Sequence, residues 1–319
     1  MCEKNDNLGT IEASERLIKD LYIDLQLKIR EWANLTNQTS QARMGYIGQH
    51  LVSVVTGYLG SKSGARGHDL LLPNNKFAEI KTCYRVDQMG KCKNCKNSIL
   101  RSETICPNCG SNDIERKNDS KWIITIKHDN ALNNLIDNEL YYFVLFEYED
   151  YKDDDNQDII ASIWTVDPKN YGFALCMLDY YYNTRKDASS APYNMWPHSL
   201  KFYLCNPKLI YRSIIHNDGL IETVVFPTLE NEECLKKDDF VKCYKARTIT
   251  KKNLKNAINS VTTGIAISQM NKKQLFQTFV DNCTSIEQIC SVLSKEIYLP
   301  LLRSHKDSIS EKYKKYFED

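Results

Sequence analysis

Two Cys-x2-Cys pairs, Cys92/Cys95 and Cys106/Cys109, stand ten residues apart, and no other feature of the chain restricts its folding as tightly. Each pair bends into a turn whose two thiolates face one centre. Two such turns supply a tetrahedral four-sulfur site that suits Zn²⁺ at about 2.3 Å. Pro107 and Gly110 fit the turns around the second pair. A closed four-cysteine site leaves the ion no open position, so the expected zinc is structural rather than catalytic. An iron–sulfur cluster would draw on the same four ligands. A metal site of this kind needs reduced thiols. The opening MCEKNDNLGT lacks the basic-then-apolar layout of a signal peptide, and no stretch of the chain offers the roughly 18 apolar residues of a membrane helix. A cytoplasmic location without a membrane partner is therefore expected, with the 12 cysteines free of disulfides.

A length of 319 residues supports a full core and, at roughly 150 residues per domain, about two domains. With 42% hydrophobic and 26% charged residues the chain falls among globular rather than disordered proteins. Ile11, Leu17, Ile18, Leu21, Leu25, Ile29 and Trp32 recur near a 3.6 period, which predicts a helix over 8–36. A polar turn at 37–41 and a second helix over 42–58 follow, the latter ended by Gly57 and Gly60. After a Gly/Ser-rich link at 61–67, the runs 68–73 and 77–85 read as a hairpin around Pro73-Asn74-Asn75. WIITIKH (122–128) predicts a third strand, 129–138 a short helix, and 140–149 and 159–166 two more strands. This order implies an α/β (α+β) fold, a mixed sheet flanked by helices. Segment 180–235 is rich in Tyr and Asn and has no periodicity that assigns it. After 250 the pattern is helical, with capping signals at Thr250 and at Ser285 followed by Gln288. The expected division is a core over 1–180, carrying the cysteine insertion at about 88–118, and a second region over 181–319.

The chemistry-bearing stretch is Asp69, then nine residues, then Glu79-Ile80-Lys81. Glu79 and Lys81 are two apart on one strand, so their side chains leave the same face, and a hairpin brings Asp69 beside them. Two carboxylates and the Ile80 carbonyl offer oxygen ligands for Mg²⁺. Such an ion acidifies a bound water and neutralises charge on a phosphate, while Lys81 can orient or deprotonate the attacking water. This is the set of groups that phosphodiester hydrolysis requires.

Asp69-x9-Glu79-x-Lys81 behind the turn SGARG (63–67) resembles the PD-(D/E)xK superfamily of restriction and repair nucleases. The resemblance gives Asp69 and Glu79 the metal-ligand roles and Lys81 that of the catalytic lysine. His68 stands where a proline is usual, and Gln49 where many members carry a helix Glu. Gln49 can hold a metal-bound water through its amide oxygen but adds no charge. The stretches GYIGQHLVSVVTGYLGSKSGARGHDL, AEIKTCYRVDQMGKC, CPNCGS and RKNDSKWIITI further resemble the MamI-like type II restriction endonucleases, most clearly over 43–127. That resemblance implies a Mg²⁺-dependent, sequence-specific double-strand endonuclease with an inserted zinc ribbon, acting as a homodimer. It also implies a palindrome interrupted between GAT and ATC half-sites, and a cognate DNA methyltransferase.

Net charge, at +1, does not mark a nucleic-acid binder, but its distribution is uneven. Lys and Arg outnumber Asp and Glu by 16 to 9 over 236–319, and by nine to five between Lys81 and Lys121. Seven acidic residues crowd 147–158, expected on a solvated loop away from phosphates. Arg66, Arg85 and Lys121 are the expected double-stranded DNA contacts near the site. Base readers are sought among Arg185, Lys186, Asn194 and Arg212 and on the basic helices after 250. The ribbon reads either as a DNA-contacting element or as a staple for a long loop. Two other functions fit the same residues: a zinc-ribbon DNA-binding protein without catalysis, and a repair nuclease that reads DNA structure. A third, cysteine chemistry at Cys83 with His68 nearby, requires a thiolate that nothing in the sequence marks.

Overall fold

A computed structural model describes residues 8–36, 43–61, 68–185, 192–229 and 235–317. The expected polar turn at 37–41, the link 61–67 apart from Ser61, Arg66 and Lys186 lie outside the described residues. In chain order the elements are α1 (Ile11–Leu17), α2 (Leu25–Thr36), α3 (Met44–Thr56), β1 (Leu70–Leu72), β2 (Lys76–Tyr84), β3 (Gly90–Cys92), β4 (Ser98–Ile99), β5 (Ile114–Glu115) and β6 (Trp122–Ile124). Then come α4 (Asp129–Asp137), β7 (Leu140–Tyr148), β8 (Ile159–Val166), α5 (Tyr171–Tyr180), β9 (Tyr193–Met195), α6 (Leu200–Leu204), β10 (Lys208–Ile215) and β11 (Ile221–Val225). The chain closes with α7 (Lys237–Lys242), α8 (Lys251–Val261), α9 (Lys272–Asn282) and α10 (Ile286–Leu302). These elements form two compact units, each assembled from three stretches of chain: 1–121, 142–164 and 209–232 in the first; 122–141, 165–208 and 233–319 in the second.

The first unit holds a mixed six-stranded sheet in the order β1-β2-β7-β8-β10-β11. β7 lies inside it because its run Tyr141–Phe146 is buried on both faces. The β1–β2 hairpin pairs antiparallel, Leu70 opposite Ala78 and Leu72 opposite Lys76. Asn74 and Asn75, both with φ near +60° (60° and 55°), make the tight corner. β10 and β11 pair antiparallel with an irregularity between Arg212 and Ser213.

The predicted N-terminal helix runs over α1 and α2 but is interrupted by a π-helical stretch, Ile18–Asp24. Its consequence is a rotated apolar face. Ser14, Ile18, Tyr22 and Gln26 are buried at a four-residue spacing, whereas Trp32 is 66% exposed. A wider turn advances the buried face beyond the 3.6-residue repeat, so the stripe expected through Leu25 and Trp32 does not face the core. α3 ends at Gly57 in the left-handed conformation, φ +74°, and packs on β2. Gly48 makes that approach possible: a Cβ there would collide with the Thr82 hydroxyl.

The strand expected at 122–128 is shorter and sits elsewhere. β6 pairs with β9 in a separate two-stranded sheet of the second unit, and β7 rather than β6 neighbours β2. A three-residue strand cannot supply the ladder that the nine-residue β2 needs, and the nine-residue β7 can. The rest of the second unit is helical. α5 is buried over nearly its whole surface, and Gly172 lets it press on the backbone of Leu204. Thr250 and Ser285 cap α8 and α10 as their sequence signals predict, accepting from Asn253 N and Gln288 N, each at 3.2 Å. No described helix is long and apolar enough to cross a membrane.

Candidate active site and zinc centre

Strand alternation sets the site. Ala78 and Ile80 on β2 are buried, while Glu79 and Lys81 on the opposite face keep 22% and 26% side-chain exposure. Lys81 Nζ lies 2.5 Å from Glu79 Oε1. Asp69 stands one residue before β1 rather than within it, and the hairpin register brings it beside Glu79. Its carboxylate is held at both oxygens. Ile80 N–H donates to Oδ2 at 2.9 Å, and Gln49 Nε2, from α3, donates to Oδ1 at 2.7 Å. In a strand a residue's N–H and C=O leave the same edge, so the Ile80 carbonyl opens on the side that Asp69 occupies. The five predicted residues Gln49, Asp69, Glu79, Ile80 and Lys81 therefore converge.

Burial, and then the Glu79 charge, push the Asp69 carboxyl above its ordinary value, against the pull of the Ile80 amide, Lys81 and Gln49. Two crowded carboxylates with one ammonium leave negative charge uncompensated, which favours a cation there. Asp69, Glu79 and the Ile80 carbonyl form an all-oxygen donor set of the kind hard divalent ions take.

Other expected contacts fall differently. Arg85 is not available to DNA. It is 5% exposed, its Nε donates to Ser120 O at 3.0 Å, and its Nη1 lies 3.5 Å from Glu147 Oε2. An arginine packed inside the unit, here one residue past the end of β2, must find its partners there, and these are protein groups. Lys121 is half-buried just before β6 and sits close enough to influence the Cys83 thiol. Cys83 is buried, and burial pushes its thiol up to about 12, so the cysteine-nucleophile reading has no thiolate to use.

The ribbon folds as its spacing predicts. The four cysteine sulfurs lie within 4.8 Å of one another. Cys92 Sγ is 3.6 Å from Cys109 Sγ, and Cys95 Sγ is 3.5 Å from Cys106 Sγ. A ZnS₄ tetrahedron has edges of about 3.8 Å, so the residues fit the ion. Both turns are built alike. Lys96 N–H donates to Cys92 O and Gly110 N–H to Cys106 O, each at 2.9 Å, with φ of +63° at Lys96 and +69° at Gly110. Amide donors from Cys95 and Asn94 lower the Cys92 thiol, and the Asn108 side chain and the Asn97 amide lower Cys95 to about 6, whereas Cys109, against the pull of the Ser111 amide, is raised by the neighbouring thiols to about 11. Sulfurs crowded this closely share protons until a metal displaces them. Around them β4-β3-β5 encloses a small core of Cys92, Ile99 and Cys106, with Cys95 and Ile114 against it.

Sequence reasoning missed how the ribbon is held. Of the acidic run at 147–158, Glu147 lies in β7 and the rest in the loop between β7 and β8, where Asp154 is paired rather than a free surface charge. Its carboxylate meets Arg116 at 2.7 Å and Arg101 at 3.3 Å, two ribbon arginines whose side chains are only 5% and 7% exposed. Arg101 also donates to the carbonyls of Tyr151 and Asp153 at 2.6 and 3.0 Å, and covers the Tyr148 ring at 4.2 Å. The signal was opposite charge in two loops distant in sequence, which shows pairing only once the fold is known.

A mixed sheet flanked by helices, with two carboxylates and a lysine at the end of its edge hairpin and a four-cysteine insertion after it, is a restriction-endonuclease-like α+β fold. The family model described as MamI restriction endonuclease matches residues 31–244, about two-thirds of the chain, and the chain belongs to that family. Over 73 residues it is 34% identical to the type II restriction enzyme MamI of Microbacterium ammoniaphilum, a match covering 21% of this chain and 24% of that protein. The matched segment thus spans about a quarter of the curated relative's length. No solved structure matches the chain.

Proposed function

We propose that the protein is a Mg²⁺-dependent type II restriction endonuclease that cuts both strands of duplex DNA at a specific site. The observation that carries the proposal is the convergence of Asp69, Glu79 and Lys81 on one sheet edge. Asp69, Glu79 and the Ile80 carbonyl would hold the ion, and Cys92, Cys95, Cys106 and Cys109 a structural zinc. Bound Mg²⁺ supplies Lewis acidity toward the phosphate and a water of lowered pKa. Lys81 would orient the attacking water through Nζ and set positive charge beside the developing phosphorane; to act as the base it would first have to lose its own ammonium proton. Gln49 holds the Asp69 carboxylate in place through its amide N–H and keeps its amide oxygen for a water.

Family membership supports DNA as the substrate. The proposal includes a homodimer, since two copies related by a two-fold axis would cut both strands of a palindrome. An interrupted GAT/ATC site, a protecting methyltransferase and action in the cytoplasm belong to it as well. The catalytic core, with its zinc insertion, is assigned to 1–180, and DNA recognition and dimerisation to 181–319. Lys121 and Arg66 are proposed as phosphate contacts near the site.

The test is incubation of purified protein with plasmid and Mg²⁺. Discrete fragments are expected, lost in Glu79→Ala and Asp69→Ala while duplex binding persists. Binding without cutting, in Mg²⁺ or Mn²⁺, would reassign the protein to non-catalytic DNA binding. Cutting confined to forks, junctions or mismatches would make it a repair nuclease.

A further inference from the structure

We infer that His68 is a positioning residue, which keeps the Asp69 carboxylate in register with Glu79 by stacking its ring on Phe77; the inference rests on the metal-binding reading of that pair. Two neighbouring carboxylates repel until a cation lies between them. The edge must therefore be held together by other contacts if it is to present both ligands at once. Asp69 is poorly placed to hold itself, since it precedes a strand of three residues.

The residue before it supplies the missing restraint. The His68 and Phe77 rings lie 4.1 Å apart at their centroids and 12° from parallel. The Ser61 hydroxyl donates to the His68 carbonyl. Phe77 shares the β2 face with Glu79, two residues away, or roughly 6.8 Å along the strand. His68 is bonded directly to Asp69. The stack thus ties the chain just before one carboxylate to the strand just before the other. Gln49 and the Ile80 amide restrain the Asp69 side chain, whereas the stack restrains its backbone. Stacking depends on a flat ring and not on a ring nitrogen, so another aromatic residue should serve.

The experiment is a titration of full-length protein with Mg²⁺ alone, read by calorimetry and by the Mg²⁺-dependent rise in melting temperature. From the usual strength of an aromatic pair, His68→Ala should bind Mg²⁺ roughly three- to tenfold more weakly. His68→Phe should bind as wild type does. Phe77→Leu, which keeps apolar bulk but loses the ring pair, should match His68→Ala, and the double variant should be no weaker than either single one. In cleavage assays the Mg²⁺ concentration for half-maximal rate should rise in His68→Ala, with the rate recovering at saturating Mg²⁺. Wild-type affinity in His68→Ala, or a His68→Phe as weak as His68→Ala, would overturn the inference and leave the nuclease reading standing. A wild-type protein that neither binds Mg²⁺ nor cuts DNA would overturn both.

Discussion

Replacing Asp154 with Asn removes the carboxylate that two ribbon arginines share. Their side chains are 7% and 5% exposed, so the guanidinium charges cannot turn to water without moving the ribbon. Breaking a fully buried pair costs about 3–5 kcal/mol. Two features reduce that figure here. Asp154 is itself 34% exposed, so solvent screens the pair. Each guanidinium also keeps carbonyl acceptors: Tyr151 and Asp153 for Arg101, Leu100 and Glu103 for Arg116. What remains is of the order of one charge-assisted hydrogen bond, about 2 kcal/mol, or a melting temperature lower by roughly 4–8 °C. Thermal unfolding with zinc present throughout measures it. Asp155→Asn, an exposed neighbour in the same loop, should melt as wild type does. The Arg116 hydrogen bond holds the Asp154 carboxyl below its ordinary 3.8. A depressed carboxylate contributes stability above its unfolded pKa and loses it as pH falls through the folded one. The gap between wild type and Asp154→Asn should therefore be full at neutral pH and close as pH falls below about 4. An Asp154→Asn protein that melts like Asp155→Asn at neutral pH would refute the docking of the ribbon by this pair.

Gly48→Ala drives a methyl group into the Thr82 hydroxyl under α3; it should cost about 1–3 kcal/mol in thermal unfolding and weaken Mg²⁺ binding, because Gln49 moves with the helix. Cys92→Ser should release the ion, detectable by metal analysis, and lower the melting temperature, since zinc-binding free energy is folding free energy. Lys251 and Lys252, both exposed, open α8 at the positive end of its dipole. Changing both to Gln should raise the melting temperature by about 1–3 °C while weakening duplex binding, with the slope of log affinity against log salt smaller by about 0.9 per lysine if both meet phosphates.

Local chemistry made part of this molecule readable. The cysteine turns need only residues a few apart, as do the caps at Thr250 and Ser285, and the shared face of Glu79 and Lys81 follows from strand geometry alone. β10 was hidden because its core face is partly polar. Leu209, Tyr211, Ser213 and Ile215 alternate inward, but Ser213 interrupts the apolar pattern. Its burial is possible because its hydroxyl bonds Tyr211 at 2.5 Å and Thr223 at 2.8 Å, the latter on the neighbouring strand. A polar residue satisfied by a partner distant in sequence carries no local signature. The N-terminal helix was found, but its face was not. A π-helical stretch changes which residues turn inward without changing any helix propensity. Gln49 could be nominated only through a resemblance, since its meeting with Asp69 depends on how α3 lies on the β1–β2 hairpin.

Charge near the ribbon shows most clearly what a sequence count omits. Nine cations against five acids between Lys81 and Lys121 read as a surface prepared for phosphates. In the folded unit five of the nine face carboxylates: Lys81 on Glu79, Arg85 on Glu147, Lys93 on Asp113, and Arg101 and Arg116 on Asp154. Two of those carboxylates, Glu147 and Asp154, come from the β7 hairpin, outside the counted window. A cation already neutralised releases no counterions from DNA, so it adds nothing to the salt-dependent part of affinity. All three arginines of the stretch are among the five, and they are the residues best suited to bidentate recognition of phosphate or guanine. The ribbon is thereby better fitted to bracing the β7–β8 loop than to reading bases. Any contact it makes with a DNA backbone falls to lysines such as Lys91, which is exposed and stands opposite Glu115 in the β3–β5 register without closing an ion pair among the described residues. Substituting Lys91 should then lower affinity equally for specific and random duplexes, whereas a base-reading ribbon would lose discrimination between them.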